Sequence, residues 1–339
     1  MAIIAYLDSD FEVIKRMQNI DIVIAWVDGN DLELKKKRHK YLTGEDASDA
    51  VSATRFASNN EIYYNIASIL KYVPFCRHIY VVADNQRPEF IDEFAAQGLC
   101  AADKIRVVDH QEIFRGFEEH LPTFNTRSIE SMLWNIDGLS DYFIYLNDDF
   151  FFNTPAKVED FLKAESLVIY GHWQNSFALK AKLKYRQLMS RQFGKPIQPK
   201  HMIAQMLGAD VLGFKKFFEI HHYPHIVDRH ALKDYLLEHP QLLETQIKFK
   251  FRSVEQLNPI SLMNHIKIQK QQAELKPDLE LAYLKNQDSL NSFIQALHNP
   301  EIKYGCIQSL DQLDSDAAKR VSTAMQEKLA GYLPHSVLV

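Results

Sequence analysis

Two adjacent carboxylates follow an apolar run near the middle of the chain. Asp148 and Asp149 come directly after Asn147, at the end of the run Tyr142–Leu146. Paired carboxylates at the tip of a strand can hold a hard divalent cation, which prefers oxygen ligands. A cation there would neutralise the diphosphate of a nucleotide sugar. Because Asp is also frequent in turns, the spacing alone predicts a metal site and an aspartate-capped turn equally well.

A second polar cluster lies in the second half of the chain. His222, His225, Asp228 and Arg229 fall within eight residues, around Pro224. Histidine can act as a general base near neutral pH. The spacing differs from that of helical zinc sites, which present histidines at i and i+4 with a third ligand. Taken alone, the cluster is better explained as two hydrogen-bonded histidines at the start of a helix.

Three further segments precede predicted helices. His120–Thr126 places hydroxyl and amide groups ahead of one helix, and a helix N-terminus can bind anions. Arg55 precedes Ser58–Glu61, which reads as a capping box, and Arg252 precedes a similar box. Each segment alone is a helix cap and nothing more. The chain contains no GxGxxG, Walker or GxSxG motif, so the chemistry of those motifs has no support.

Four apolar runs, separated by helical patterns, must position these residues. They are rich in β-branched and aromatic residues and end at polar side chains, as buried strands do. The runs are Ile20–Val27, His78–Ala83, Ile105–Val108 and Tyr142–Leu146, and their polar tips contain Asp28, Asp84, Asp109 and Asp148. This alternation predicts an α/β unit with a mostly parallel sheet flanked by helices. If the strands are parallel, the tips converge where ligands bind in such sheets.

The second half of the chain is predicted to be mainly helical. Its first part, Ser166–Ala209, contains no Asp or Glu but has seven Lys and Arg residues. A solvated helix and a surface for a phosphorylated or membrane-borne acceptor explain this pattern equally well. A short strand is predicted at Tyr304–Leu310 and a last helix over Ser315–Tyr332.

Length and composition exclude several classes of protein. The 339 residues suit one large domain or two. With 39 Lys and Arg against 44 Asp and Glu, the net charge of −5 argues against a nucleic-acid partner. The apolar runs are too short to span a bilayer, and the first residues lack the features of a signal peptide. Three scattered cysteines indicate reduced thiols. We therefore expect a cytoplasmic protein, with peripheral association at the inner face of the membrane as a hypothesis.

Taken together, these segments resemble the Stealth family of sugar-1-phosphate transferases. The family includes bacterial capsule and exopolysaccharide phosphotransferases and the animal enzyme that places N-acetylglucosamine-1-phosphate on lysosomal glycoproteins. The resemblance follows the chain in order and covers nearly all of it. Its blocks contain Ile20–Asp31, Arg55–Glu61, His78–Gln86, His120–Phe124, Ser128–Glu130, Phe143–Asp149, His222–His225, Asp228-Arg229 and Arg252-Ser253. A fourth region, Ile307–Asp311, departs from the more usual Cys-Leu-Asn-Asp.

The resemblance implies a Rossmann-like fold of the nucleotide-sugar transferase type. It also implies a division of the chain. Residues 1–19 are then an N-terminal extension, and residues 20–155 and 221–311 form the catalytic core. Residues 156–220 are a basic helical insertion and the expected acceptor region, and residues 312–339 form a C-terminal helix.

The resemblance further implies a reaction. A hydroxyl of a glycan or lipid-linked oligosaccharide attacks the phosphorus bonded to the sugar of a UDP-sugar. A hexose 1-phosphate, with N-acetylhexosamine as the expected sugar, is transferred to form a phosphodiester, and UMP leaves. The expected cofactor is Mg²⁺ or Mn²⁺. A metal-dependent glycosyltransferase that releases UDP and a catalytically inactive nucleotide-sugar-binding protein are the alternatives.

Individual residues acquire expected roles from the same resemblance. Asp148 and Asp149 hold the cation, and either His222 or His225 accepts the proton of the acceptor. Arg252, with Arg229 as a second candidate, stabilises charge on the phosphoryl group. The residues expected to bind substrate are Asp28, Gly29, Arg55, Asn59, Asn60, Asp84, Asn85, Gln86, His120, Thr123, Asn125 and Arg229. The sequence leaves open which histidine is the base and which oligomer the protein forms.

Overall fold

The structure, a computed structural model, describes residues 19–42, 60–194, 197–308 and 310–338. Its strands are β1 (Ile20–Ala25), β2 (Cys76–Ala83), β3 (Ile105–Asp109), β4 (Tyr142–Asn147), β5 (Phe150–Phe152), β6 (Leu162–Lys163), β7 (Ser166–Tyr170), β8 (His172–Asn175), β9 (Lys216–Glu219), β10 (His225–Asp228), β11 (Ala273–Lys276), β12 (Leu281–Leu284) and β13 (Tyr304–Ile307). Its α-helices are α1 (Leu32–His39), α2 (Glu61–Tyr72), α3 (Glu93–Ala96), α4 (His110–Ile113), α5 (Thr126–Glu130), α6 (Ser176–Phe193), α7 (His201–Asp210), α8 (Arg229–Glu238), α9 (Pro240–Ile247), α10 (Pro259–Gln269), α11 (Leu290–Leu297) and α12 (Ser315–Lys328).

The four predicted apolar strands form one sheet. Its order is β10-β4-β1-β2-β3. The pairs β1–β2, β1–β4 and β2–β3 are parallel, and β10 lies antiparallel to β4 at one edge. The side chains of β1, β2 and β4 are almost all buried, because helices cover both faces of a parallel sheet. The predicted α/β class with a mostly parallel sheet is confirmed.

The strand order creates a switch point between β1 and β4. From β1 the chain builds the sheet outward through β2 and β3, and β4 then returns to the other side of β1. In open α/β sheets the ligand crevice lies beyond the carboxyl ends of the two strands at such a point. Asp28 follows β1, and Asp148 and Asp149 follow β4. The polar residues that follow β1 and β4 therefore lie on the two sides of the expected ligand crevice.

A buried ion pair fixes the opposite end of β1. The Asp21 carboxylate is fully buried and accepts from Arg77 Nε at 2.9 Å and from Arg77 Nη2 at 2.5 Å. It also accepts from the backbone N–H groups of His78 and Ser140, at 3.1 and 2.8 Å. One carboxylate thus ties β1 to β2 and to the segment before β4.

We expect Arg77→Leu to lower the free energy of unfolding by about 2–3 kcal/mol, because it leaves the buried Asp21 carboxylate without its cation. The matched control is Arg115→Leu, whose bidentate pair with Asp137 is more than half exposed on both sides. That variant should lose much less, because exposed ion pairs contribute little to stability. Urea denaturation measures both, and equal losses would contradict the importance of the buried pair.

Several elements differ from the sequence prediction. Helices dominate the second half, but β6–β12 were not predicted, since strands of two to five residues are too short to show a period. The helix predicted after His120–Thr126 is interrupted: α5 stops at Glu130 and a 3₁₀ turn covers Leu133–Asn135. Ser131 Oγ bonds the Arg127 carbonyl at 2.8 Å and competes with the helical pattern there.

The predicted capping box before α2 is also wrong. The helix begins at Glu61, so this residue is the first of the helix and not the third. Its N-cap is Asn60, in a left-handed conformation with φ of 74° and with no side-chain capping bond. Ser58 lies outside the described residues. Within the described ranges, none of the helices has the length and apolar character needed to cross a membrane.

Candidate active site

The acidic turn Asn147–Asp149 connects β4 to β5. Asn65 on α2 donates from Nδ2 to the backbone carbonyls of Asn147, at 2.9 Å, and Asp148, at 3.5 Å. From the other side, the backbone N–H of Ile307 on β13 donates to the Asp149 carbonyl at 2.8 Å. The turn is therefore held by a helix and a strand that are distant in the sequence, and both carboxylates stay half-buried.

Burial makes the charged forms of both carboxyl groups costly. It raises the pKa of Asp149 to about 6, although the Cys306 thiol, 3.3 Å from Asp149 Oδ2, opposes the shift by donating a hydrogen bond. The pKa of Asp148 is raised well above its usual range by burial and by the charges of Asp149 and Glu61. A bound cation would relieve both effects, because it stabilises the ionised forms.

The donor atoms of the turn fit a hard divalent cation. Asp149 Oδ1 is buried and has no hydrogen-bond partner within the described part of the chain. Such an oxygen is costly to bury unless something binds it. Together with Asp148 it offers oxygen ligands, which Mg²⁺ and Mn²⁺ prefer. Asp148 and Asp149 are thus the residues that would hold the expected cation.

His222 borders the acidic turn. Its ring centroid lies 5.9 Å from that of Phe150, the residue after Asp149, and 6.0 Å from that of Tyr283. The pKa of Tyr283 is raised to about 12, mainly by burial and further by the charges of Cys306 and Asp149. Burial lowers the pKa of His222, so the imidazole is neutral near pH 7 and can accept a proton.

His225 occupies a more constrained position on β10, opposite Tyr145 of β4. Its Nε2 lies 3.1 Å from the His221 carbonyl and donates to it. Burial lowers the pKa of His225 to about 3, so this imidazole is also neutral. Because one ring nitrogen is committed to the backbone, His225 is suited to holding the His221–Tyr223 loop, which carries His222.

Arg252 reaches the site through a loop anchored by Asn125. Asn125, the N-cap of α5, donates from Nδ2 to the Phe251 carbonyl at 2.9 Å and to Gln256 Oε1 at 2.8 Å. The loop thereby brings Arg252 Nη2 within 3.0 Å of Thr126 Oγ1. Arg252 Nε is buried and has no partner in the described ranges.

The charge of Arg252 acts on several buried groups. It lowers the pKa of Glu130, which burial otherwise raises, and it contributes to the lowered pKa of His222. Glu130 Oε1 accepts from Tyr145 Oη at 3.1 Å, and the same hydroxyl lies 2.9 Å from Asn147 Oδ1. Tyr145 therefore connects the acidic turn to Glu130, and the charge of Arg252 acts on both Glu130 and the neutral imidazole of His222.

The tips of β1 and β2 are joined by one side chain. The backbone N–H of Asp28 donates to Gln86 Oε1 at 3.0 Å, and Gln86 Nε2 donates to the Asp28 carbonyl at 2.9 Å. Gln86 Nε2 also donates to Asp31 Oδ2 at 3.0 Å and is the main cause of the lowered pKa of Asp31. The Asp28-Gly29 turn is therefore held by Gln86, which was predicted to bind substrate.

The neighbouring residues Asp84 and Asn85 also have partners at this edge. Both oxygens of Asp84 lie 2.7 Å from Lys37 Nζ on α1. Asn85 has a left-handed φ of 52°, and its backbone N–H donates to Asp109 Oδ2 at 2.6 Å. The tips of β1, β2 and β3 do converge, as parallel strands require.

Of three further residues predicted to bind substrate, His120 and Arg229 have polar contacts within the protein and Thr123 is buried. His120 Nε2 lies 3.2 Å from Glu244 Oε2 on α9. Thr123 is buried, and its Oγ1 has no partner among the described residues. The Arg229 guanidinium donates to the backbone carbonyls of Trp134 at 2.8 Å and Leu139 at 2.6 Å. This makes Arg229 an anchor of the segment before β4, and Arg252 is the better candidate for contact with a phosphoryl group.

Some predicted residues lie outside what the structure describes. Arg55 and Asn59 fall in the range 43–59, and the side chain of Asp311 is likewise not described. Asn60 is described and exposed, at the start of α2. For Arg55 and Asn59 the predicted roles stay predictions.

Sequence reasoning missed the residues that surround the acidic turn. They are Asn65 and Glu61 on α2, His201 on α7, Tyr283 on β12 and Cys306 on β13. The ring of His201 stacks 6.1 Å from that of His222, and burial lowers its pKa to about 3. Apart from Glu61, which was assigned to a capping box, none of these residues stands in a motif. Only the polar Asn65 on the otherwise apolar face of α2 offered a signal.

Similar proteins are capsule and exopolysaccharide phosphotransferases. A capsular polysaccharide phosphotransferase of Actinobacillus pleuropneumoniae is 41% identical over 152 residues, which are 44% of this chain and 40% of that protein. An exopolysaccharide phosphotransferase of Streptomyces coelicolor is 32% identical over 254 residues, 71% of this chain and 42% of that protein. The matches thus span about two fifths of the length of these curated relatives.

Two solved structures of sugar transferases are also similar. Galactosyltransferase LgtC in complex with donor and acceptor sugar analogues covers 91% of this chain and 96% of its own, at 13% identity and a TM-score of 0.45. Mouse xyloside xylosyltransferase 1 covers 88% of this chain and 99% of its own, at 10% identity and a TM-score of 0.40.

Two family models match the first half of the chain. Residues 18–46 match Stealth protein CR1, conserved region 1, and residues 55–169 match Stealth protein CR2, conserved region 2. The first match contains β1 and the Asp28 turn, and the second contains α2, β2, β4 and the acidic turn. The chain therefore carries conserved regions 1 and 2 of the Stealth proteins, which confirms the family resemblance seen in the sequence.

Proposed function

We propose that this chain transfers a hexose 1-phosphate from a UDP-sugar to a hydroxyl of a glycan acceptor in capsule or exopolysaccharide synthesis. The expected sugar is an N-acetylhexosamine. The observation that carries the proposal is the acidic turn at the switch point, bordered by the neutral His222, within a chain that has two Stealth regions. The charge of Arg252 acts on that imidazole. The similar phosphotransferases support the same reaction class.

Each group has a role in this reaction. A divalent cation held by Asp148 and Asp149 would neutralise the diphosphate of the donor. His222 accepts the proton of the attacking hydroxyl, while the free Nε of Arg252 stabilises charge on the phosphoryl oxygens. The Asp28-Gly29 turn binds the nucleotide side. Phosphoryl transfer needs mainly positioning and charge neutralisation, which these groups supply.

The leaving group distinguishes a sugar-1-phosphate transferase from a glycosyltransferase. When the protein is incubated with a panel of UDP-sugars and oligosaccharide acceptors, we expect it to release UMP and to form a product that carries a phosphodiester. Release of UDP and a glycosidic product would indicate a glycosyltransferase. Tight UDP-sugar binding with no product from any acceptor would indicate an inactive binding protein. Mass spectrometry of products and chromatography of the nucleotide provide both readouts.

The basic helix α6 is proposed as the acceptor side. Its residues Leu179 and Leu183 pack against the rest of the protein, whereas Phe177, Tyr185 and Leu188 are 80%, 61% and 59% exposed. These apolar side chains share the outer face with Lys182, Lys184 and Arg191, which are exposed too. Lys180 pairs with Asp210 and is therefore not part of this face. Basic and aromatic residues on one helix face favour an anionic, lipid-borne acceptor, at the inner face of the membrane.

We expect the triple variant Lys182→Gln, Lys184→Gln, Arg191→Gln to raise the acceptor KM and leave the KM for the UDP-sugar unchanged. Partitioning to phosphatidylglycerol vesicles should fall about tenfold or more, because each lost charge contributes about 1 kcal/mol. The effect should shrink as the Debye length falls from about 10 Å at 0.1 M salt to about 3 Å at 1 M.

The matched control removes three exposed lysines elsewhere, in the variant Lys270→Gln, Lys285→Gln, Lys319→Gln. It changes the net charge by the same amount and should leave both KM values and vesicle partitioning near normal. An unchanged acceptor KM in the α6 variant at low salt would show that this face is only solvated.

A further inference from the structure

Three side chains that can bind metals lie together in a cluster separate from the acidic turn. His172 is on β8, His221 follows β9, and Asp278 lies between β11 and β12. Asp278 bridges the two imidazoles, with Oδ2 2.6 Å from His172 Nδ1 and Oδ1 3.3 Å from His221 Nε2. Across the described ranges, this is the one group of three or more such residues whose ligand atoms all lie within 4.8 Å of one another.

The other ring nitrogen of His172 also has suitable neighbours. His172 Nε2 lies 2.9 Å from the amide of Gln174 and 3.6 Å from Glu219 Oε2. A histidine that binds a cation through Nδ1 carries its proton on Nε2 and needs an acceptor there. Buried Glu219 offers a carboxylate, and Gln174 offers its carbonyl oxygen when the two ends of the amide are exchanged. Histidines that bind metals usually donate their second N–H to such a group.

We propose that His172, His221 and Asp278 bind Zn²⁺ or a similar late first-row divalent cation. Two imidazole nitrogens and one carboxylate oxygen suit this class of metal, whereas Mg²⁺ prefers oxygen ligands alone. The three side chains are each about two fifths exposed, so water can complete the coordination shell. The two rings are nearly parallel, with centroids 5.5 Å apart, and need little movement to face one cation.

The site would add a link between parts of the chain that already touch through the backbone N–H of Gly171, which donates to the Lys276 carbonyl at 2.9 Å. It connects the antiparallel pair β8–β9 to the segment between β11 and β12. His221 also precedes His222, and its carbonyl accepts the hydrogen bond from His225. A cation bound at His221 would therefore stabilise the loop that carries His222. This inference goes beyond the proposed function, because metal binding here does not depend on the transferase reaction.

The test is metal binding by the whole chain, measured without reference to activity. Protein stripped with a chelator is titrated with Zn²⁺ in excess Mg²⁺, which occupies the acidic turn. We expect one equivalent of Zn²⁺ to bind and to raise the Tm, and Co²⁺ to give visible absorption bands. His172→Asn and His221→Asn should each weaken Zn²⁺ binding about tenfold or more, and Asp278→Asn should do the same.

The matched control is His230→Asn. His230 pairs with Asp141 at 2.9 Å, in an exposed His–Asp contact that belongs to no group of three such residues in the described ranges. The His230→Asn variant should bind Zn²⁺ with the same affinity as the unchanged protein. The proposal is overturned if the double variant His172→Asn, Asp278→Asn takes up Zn²⁺ as tightly as the unchanged protein. It is equally overturned if Zn²⁺ binding disappears on His222→Asn and persists in that double variant.

Discussion

Asp149→Asn is expected to reduce transfer by about 10²–10³-fold or more, the usual cost of removing charge stabilisation from a reacting group. The amide keeps the shape of the side chain but loses the charge that a divalent cation needs. Activity of the unchanged protein should vanish in EDTA and return with Mg²⁺ or Mn²⁺. Full activity in excess chelator would contradict the assignment of Asp148 and Asp149 as metal ligands.

The stability of Asp149→Asn shows whether the variant is inactive because it no longer binds the metal or because it no longer folds. Because the folded-state pKa of Asp149 is raised from 3.8 to about 6, this carboxyl binds more protons in the folded state than in the unfolded state between those values. Its contribution to stability in the metal-free protein is present below pH 3.8 and is lost as the pH rises through about 6.

Asp149→Asn should remove that decline and melt no lower than the unchanged protein at pH 7. Thermal melts at a series of pH values measure this. A variant that melts much lower at pH 7 would indicate that its inactivity comes from misfolding.

His222→Ala is expected to lower turnover by about 10²–10⁴-fold, the usual contribution of a positioned proton acceptor. The structure favours His222 over His225, because His225 already donates to the His221 carbonyl. His225→Ala should act mainly through local structure, with a smaller loss in turnover and a lower Tm. Single-turnover rates and thermal melts of the two variants distinguish these outcomes.

The pH profile provides a second readout for His222. Since burial lowers its pKa, the imidazole stays neutral down to a pH below its ordinary value of about 6.5. At saturating Mg²⁺, turnover should fall only below that pH, and this acid limb should be absent from the residual activity of His222→Ala. If both histidine variants keep near-normal turnover, the base lies elsewhere, and Asp28 or Asp148 becomes the next candidate.

The parts of the fold that the sequence predicted are those with strong local signals. The run Ile20–Val27 is continuous and β-branched, so a buried strand is almost the only structure it can form, and β1 follows it closely. The position of Asp148 and Asp149 at the carboxyl end of β4 followed from the same reasoning. The parallel pairing then brought the tips together without any further information.

What the sequence could not reveal depends on contacts between distant segments. Cys306 bonds Asp149 across 157 positions, and Asn65 supports the turn from 82 positions away. In the sequence, Arg229 and Arg252 each stand beside polar residues, so their neighbours do not show which of them is free to bind a phosphoryl group. Only the folded chain brings the carbonyls of Trp134 and Leu139 to Arg229, which leaves Arg252 as the guanidinium with an unused donor.

The antiparallel pairing of β10 with β4 affects which fragments of this protein can be soluble. The matched family regions end at residue 169, yet the strand that covers the outer edge of β4 begins at His225. A fragment that stopped after conserved region 2 would expose a hydrophobic edge strand, with unpaired backbone groups along Tyr142–Asn147. Such edges recruit other chains and aggregate. The half of the chain that contains the two matched regions should therefore be insoluble as a fragment and soluble only when the segment that carries β10 is present, even as a separately added chain.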